Sequence, residues 1–417
     1  NYHSLFLDST GKVYSCGKND NGQLGRNTTG KINLIFADYN IIQITTNIQN
    51  CNIVAISGGN NHSLFLDSNG KVFGCGENWN GQLGRNNSHT DSSTSTQLTQ
   101  ITSNIQNCNI VAISTGNRHS LFLDSSGKVF GCGENNRGQL GISGGGDILI
   151  PTQITSNIQN CNIVAISTGN NHSLFLDSTG KVYGCGYNYN GQLGIPDSGN
   201  ILIPTQITGN IQNCNIVAIS GGNDISLFLD SNGKVYGCGR NDGGQLGRGN
   251  TSNIFDTNVQ ITQITINIQN CNIVAISGGY SSLFLDSTGK VYGCGYNSRG
   301  QLGISDNDYI LIPTLITDNI QNCNIVAISA GFSHSLFISA SVQSQTLPTT
   351  TLIPGSGMGG TGETIGPPDT KGASGLVLLK YNTGIRAPYN ANYYCNIDPN
   401  IFYKSLTVTG SNIYSST

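Results

Sequence analysis

Seven copies of Ser-Leu-Phe, beginning at Ser4, Ser63, Ser120, Ser173, Ser226, Ser282 and Ser335, recur at spacings of 53 to 59 residues. Self-similarity at such a period means an array of supersecondary units, none of which can bury its apolar faces alone. Gly-Gln-Leu-Gly follows six of these copies, from Gly22 to Gly300, and Asn-Ile-Gln-Asn-Cys-Asn-Ile-Val-Ala-Ile-Ser also occurs six times, from Asn47 to Asn319. Within a unit, residues 53–57 are short, β-branched and bounded by Gly58 and Gly59. Residues 63–66 and 71–75 flank Asp67-Ser68-Asn69-Gly70, a hairpin signal in which the glycine supplies positive φ. A more variable stretch such as residues 151–155 carries a fourth strand, and helical periodicity is absent from the repeats. Four short antiparallel strands at this period make a propeller blade.

The motifs G-K-V-Y-G-C-G, N-x-x-G-Q-L-G, I-V-A-I-S-x-G and H-S-L-F-L-D resemble the regulator-of-chromosome-condensation repeat family. The resemblance covers residues 1 to about 338 and implies an all-β, seven-bladed β-propeller of four-stranded blades. Cysteine, as at Cys75 and Cys132, replaces the aromatic residue often found before the motif's last glycine. The repeats supply 25 strands where seven full blades need 28, so the first blade is expected to be incomplete. Residues 335–338 have no Gly-Lys-Val strand after them, and the expectation is that they pair with a copy upstream of Asn1.

Only 10% of the residues are charged and the net charge is −3, against about 25% charged residues in ordinary soluble domains. Surface polarity must come from Asn, Ser, Thr and Gln, and the charge gives no reason to bind nucleic acid or an anionic membrane. No apolar run approaches the roughly 20 residues of a membrane-spanning helix.

Candidate chemistry is sparse. His3, His62, His119, His172 and His334 share one repeat position, which holds Ile225 and Ser281 in two units. Such regular, dispersed histidines read as ties between a loop and an adjacent strand rather than metal ligands. Twelve of the 13 cysteines occupy two repeat positions at opposite ends of a blade, beyond the roughly 7 Å Cα limit for a disulfide, and read as packing residues. The repeated Asp67 and its equivalents suit hairpin turns, and Gly-Gln-Leu-Gly lacks the Lys-Ser/Thr of a phosphate-binding loop. Nothing calls for a catalytic residue, a metal or a cofactor.

Recognition is expected in the loops between Gly-Gln-Leu-Gly and the fourth strand, which are longest at residues 85–96 and 248–258. Their candidate partner-binding residues are Arg85, Asn86, His89, Asp91, Arg248, Asn250 and Phe255. Residues 339–371 form a Ser/Thr/Pro- and then Gly-rich linker, and residues 372–417 a short β/aromatic docking tail offering Tyr381, Tyr393, Tyr394, Phe402 and Tyr403. These features favour a non-enzymatic scaffold that binds protein through polar loops and tail, as a multi-copy component of a virion, fibre or cell-surface appendage. The other reading is an intracellular binding protein or guanine-nucleotide exchange factor for a small GTPase, although no basic arm is present. A light receptor like the plant ultraviolet-B member of the family would need clustered tryptophans, and Trp79 stands alone.

Overall fold

The computed structural model describes residues 3–26, 38–86, 97–196, 199–251, 260–305, 308–317, 320, 322–340, 376–381 and 413–415. Each hairpin turn is built by one carboxylate. Oδ1 of Asp67 accepts the amides of Asn69 at 2.9 Å and Lys71 at 2.8 Å, and Gly70 takes φ 76°. Asp8, Asp124, Asp177, Asp230 and Asp286 repeat this pattern, so the turn chemistry sets where the second strand ends and the third begins.

The N-terminal sheet has three strands, β1 (His3–Leu7), β2 (Val13–Gly17) and β3 (Asp38–Gln43). The second has four, β4 (Ile53–Gly58), β5 (His62–Asp67), β6 (Val72–Gly76) and β7 (Thr99–Ile101). Strands β8 to β23 build four more four-stranded sheets over residues 110–315. The last sheet comprises β24 (Ile325–Ala330), β25 (Ser335–Ala340), β26 (Leu376–Tyr381) and β27 (Ile413–Ser415). There are thus six four-stranded blades and one three-stranded N-terminal sheet, the incomplete first blade that the repeats led one to expect. The last sheet does correct an expectation: β25 pairs with β26 of the C-terminal segment, in parallel, where every other blade has an antiparallel third strand.

First strands are innermost, stitched to one another around the axis. Ser57 Oγ meets Thr115 Oγ1 at 2.8 Å, Ser114 Oγ meets Thr168 Oγ1 at 2.9 Å, and the amides of Gly221, Gly278 and Ala330 donate to Ser167, Ser220 and Ser277.

The second strand explains the ring. Alternation points successive side chains of Ser-Leu-Phe-Leu to opposite faces. Leu5 and Leu7 pack forward on Phe65, Leu64 and Leu66 on Phe122, and so on to Leu283 and Leu285 on Phe337. Leu336 and Ile338 then pack on Phe6, which closes the circle. Each of these seven phenylalanines is fully buried, so truncating one to alanine costs about 3–5 kcal/mol.

Polar stitches run through the same seams. His62 Nε2 lies 3.0 Å from Ser120 Oγ, and that hydroxyl donates to Gln82 O at 2.7 Å. The serine proton is committed to the carbonyl, so the histidine must donate from Nε2. Nδ1 is then the bare acceptor, and it has no partner in His3, His62, His119 or His172. The same unit recurs at His3–Ser63, His119–Ser173 and His172–Ser226, and His334–Ser4 at 3.1 Å spans the closing seam. Gly116 is obligatory above its stitch, because a Cβ there would strike the His119 ring and Gly169 O.

Burial lowers the pKa of His62 and His119 to about 3 and of His172 and His334 to about 4, and His3 is also held well below 6.5. Unfolded histidines, near 6.5, therefore take up protons first as the pH falls. Stability is fully present above about pH 7 and is lost between about 6.5 and 3, at up to about 1.4 kcal/mol per pH unit for each histidine. Urea midpoints should drop steeply from pH 7 to pH 4.5; a flat profile would contradict buried neutral stitches.

Candidate functional site

Where the third strands end, a constant residue builds a frame for variable ones. Asn78, second after Gly-Cys-Gly, is buried, and its Oδ1 accepts the amide of Leu83 at 2.8 Å, pinning the Gly-Gln-Leu-Gly loop. Asn19, Asn135, Asn188, Asn241 and Asn297 do the same. The residues on either side vary among the blades: Lys18, Glu77, Glu134, Tyr187, Arg240 and Tyr296 before it, Asp20, Trp79, Asn136, Tyr189, Asp242 and Ser298 after it. Because the third strand's end pairs with the second strand's start, these residues share a face with the loops that follow the first strands.

An arc of aromatic and ionic groups lies on this face. The Arg137 guanidinium stands 4.8 Å over the Tyr187 ring, and Tyr187 lies 5.2 Å from Tyr189. Arg240 holds Asp242 through two bonds, Nε to Oδ1 at 2.8 Å and Nη2 to Oδ2 at 2.6 Å, and donates to Tyr296 Oη at 3.2 Å. Tyr296 in turn donates to Asp242 Oδ1 at 3.1 Å. Ring contacts continue from Tyr309 to Tyr296 at 5.2 Å, to Tyr280 at 5.5 Å and to Phe332 at 3.9 Å. Burial works to raise the pKa of Asp242, but the bonds and charge of Arg240 hold it below the usual carboxylate range. Burial pushes Tyr296 up to about 12, against the pull of Arg240. Asp224, at φ 59°, is raised by burial despite Arg240 and Arg137 nearby.

Part of the arc occupies the seams that lack a histidine stitch, although Arg137 and Tyr187 meet at the seam that His119 and Ser173 already join. Ile225 and Ser281 stand where the histidines would be, and there Arg240–Tyr296 and Tyr280–Phe332 bridge neighbouring blades instead. Beside it opens a narrow axial mouth of about 160 Å³, lined by Gly59, Gly116, Gly169 and Gly222, with Tyr280 and Phe332 on one side.

Neither the His–Ser pairs nor the cysteines form a nucleophilic centre. A nucleophilic serine needs a histidine that accepts its proton, whereas here the histidine donates, the serine is bonded to a carbonyl, and the stitches are sealed in the seams. Among the described residues, Cys75, Cys132, Cys185, Cys238 and Cys294 are buried and free of disulfides. Burial pushes Cys75 and Cys238 up to about 12, the opposite of an activated thiolate. Among the described residues, no cluster of His, Cys, Asp or Glu suits a metal ion, and no helix is long and apolar enough to cross a membrane.

The residues expected in the long loops have local roles where they are described. Arg85 donates to Gly74 O at 2.6 Å and Gln97 O at 3.0 Å, and Arg248 to Gly237 O at 3.1 Å and Gln260 O at 3.4 Å. Both tie their loop to their own blade. Asn86 is exposed at φ 57° and its amide bonds Leu149 O at 3.0 Å; the Asn250 carbonyl accepts from Asn241 at 2.8 Å. Tyr381 ends β26, described in its backbone alone. His89, Asp91, Phe255, Tyr393, Tyr394, Phe402 and Tyr403 lie outside the described residues. The aromatic arc escaped sequence reasoning that compared loop lengths; its signal is identity, in the residues flanking an invariant asparagine.

A sequence profile for the RCC1-like domain matches residues 1–337. Among curated proteins, a bifunctional serine/threonine-protein kinase/NEDD4-like E3 ubiquitin-protein ligase of Dictyostelium discoideum is 29% identical over 345 residues, 69% of this chain and 18% of that protein. The human probable E3 ubiquitin-protein ligase HERC6 is 29% identical over 61% of this chain and 24% of its own length. This chain therefore spans under a quarter of the ligases' length. The ultraviolet-B receptor UVR8 of Arabidopsis thaliana is 29% identical over 73% of this chain and 66% of the receptor. Among solved structures, human WBSCR16 superposes with a TM-score of 0.69 at 21% identity, over 80% of this chain and 83% of that one. Prp20p of Saccharomyces cerevisiae, a protein described with its binding to Gsp1p and histones, gives 0.68 at 24%, over 79% and 78%. Both share the fold.

Seam compensation is testable by restoring a stitch. Ser282 already donates to Gln245 O at 2.6 Å, so Ile225→His should find a waiting acceptor in the Ser282 hydroxyl. Arg240→Ala alone should lower stability by about 1 kcal/mol, given its partial exposure, and Ile225→His should recover part of it at pH 7.5 but not at pH 4.5. Thermal unfolding of the single and double variants measures this; recovery at both pH values, or at neither, refutes the compensation.

Proposed function

The chain belongs to the RCC1-like domain family, and we propose that this member is a non-enzymatic docking module that grips a protein partner with its aromatic face. One observation carries the reading: Trp79, Tyr189 and Tyr309 stand 54%, 57% and 47% exposed on that face, each on a rigid blade end. Tryptophan, tyrosine and arginine are the residues that dominate binding energy at protein interfaces, because they offer large amphipathic area at low entropic cost. Exposed Arg118 and Arg299 and half-buried Arg137 accompany them.

The relatives agree with docking more than with the exposed assembly suggested by composition. They include ubiquitin ligases and a light receptor, and two proteins of the same fold, one of them described through the proteins it binds. Ligase chemistry does not carry over, since the resemblance leaves most of those proteins uncovered.

Photo-crosslinking amino acids placed at Trp79, Tyr189 and Tyr309, and separately at Lys71 and Lys181 on the opposite face, test the assignment in the native cell. Crosslinks to one defined protein should come from the aromatic face, and Tyr189→Ala should weaken binding of that partner by about tenfold. Crosslinks from the lysine positions alone would overturn the reading. If the partner is a small GTPase, its nucleotide-release rate with and without the propeller separates an exchange factor from a simple docking module.

A further inference from the structure

The ring is closed at its second strands, by Phe6 on Leu336 and Ile338, but open at its first strands. Each four-stranded blade lays a first strand against its second, as Ile53, Ala55, Ile56, Ser57 and Gly58 do against Asp67, Leu66, Phe65, Leu64 and Ser63. Asp8, Leu7, Phe6, Leu5 and Ser4 offer the same row on the N-terminal sheet. Among the described residues, however, β1 pairs only with β2, so its inner edge faces the axis bare. A strand edge guarded by neither proline nor lysine is a template for another strand, and His3–Leu7 carries neither.

Groups on both sides of this opening lack what their counterparts have. The amides of Thr115, Thr168, Gly221, Gly278 and Ala330 each donate to the serine of the preceding first strand, at 2.9 to 3.1 Å. Gly58 holds the same position with no serine before it, and Ser329 is the serine with no amide after it; both are exposed. The turn amides of Ser68, Ser125, Ser178, Ser231 and Ser287 donate to the asparagine carbonyl ahead of their own first strand, and Ser9 has no such carbonyl. Apolar surface is uncovered as well. Ile56 and Ala327 are half-buried, whereas their counterparts Ile113, Ile219, Ala55 and Ala112 are fully buried.

We propose that this groove between β24 and β4 is a strand-acceptor site, which takes an extended segment of a partner polypeptide with the pattern Asn-Ile-x-Ala-Ile-Ser-Gly. Laid antiparallel on β1, the segment accepts the Gly58 amide on its serine and donates its glycine amide to Ser329 Oγ. Its asparagine carbonyl accepts the Ser9 amide, and its isoleucines cover Ile56 and Ala327. Main-chain bonds give such strand addition its affinity, and the side-chain pockets give it selectivity. The neighbouring sheet already recruits a strand without a hairpin link, since β26 lies parallel to β25. This site stands independently of the aromatic arc and of docking there.

Titrating the full chain with a fluorescent peptide copied from residues 52–60, Asn-Ile-Val-Ala-Ile-Ser-Gly-Gly-Asn, tests the site. One saturable site is expected, with a higher unfolding temperature on binding. A peptide with serine in place of both isoleucines should bind at least about tenfold more weakly. Ser329→Ala, on the surface and harmless to folding, should weaken the original peptide about fivefold. A photoreactive residue in place of the peptide's valine should crosslink within residues 3–8, 53–58 or 325–330. No saturable binding, equal binding of the two peptides, an unaffected Ser329→Ala variant or crosslinks elsewhere would each overturn the proposal. So would a protein purified from its own cell whose intact mass includes a further copy of this strand and which binds no peptide.

Discussion

Everything in this molecule depends on the second strand of each repeat having no polar face. With leucines on one side and phenylalanine on the other, a Ser-Leu-Phe-Leu strand forces its sheet to be covered both in front and behind. A linear stack would leave two apolar ends, and a ring leaves none. The packing of Phe6 on Leu336 and Ile338 is therefore the contact that makes the chain a propeller rather than an open array. The histidine stitches add direction to the seams, since each joins one blade to the serine of the next.

Once the seams are satisfied, the two ends of the axis are free to differ. At the hairpin end the sequence barely changes between blades, because Asp and Gly there build turns. At the other end an invariant asparagine does the building and its neighbours vary. Where two histidine stitches are absent, surface groups bridge the blades instead: Arg240, Asp242 and Tyr296 at one seam, Tyr280 and Phe332 at the other.

Much of this architecture was legible in the repeats. Strand positions, the hairpin role of Asp67 and the tying role of His62 follow from local chemistry that is the same in every copy. The partner of Ser335–Ala340 did not, because pairing between distant segments carries no local signal: the expected strand was upstream, and the observed one is Leu376–Tyr381. Nor did the arc. Tyr187, Arg240 and Tyr296 occupy the same place in successive repeats and looked like noise in a pattern. Only the ring's curvature brings them side by side, and a period read along the chain does not contain that curvature. Arg85 and Arg248 show the converse, being conspicuous in long loops yet bonded to their own backbone carbonyls.

Hydrogen–deuterium exchange of the propeller with and without its native protein partner tests the central claim most directly. Protection should concentrate at residues 77–80, 187–190, 240–242, 280, 296, 309 and 332, with the hairpins at residues 67–71 and 177–181 unchanged. Protection confined to those hairpins, with the aromatic arc exchanging as in the free chain, would contradict the account.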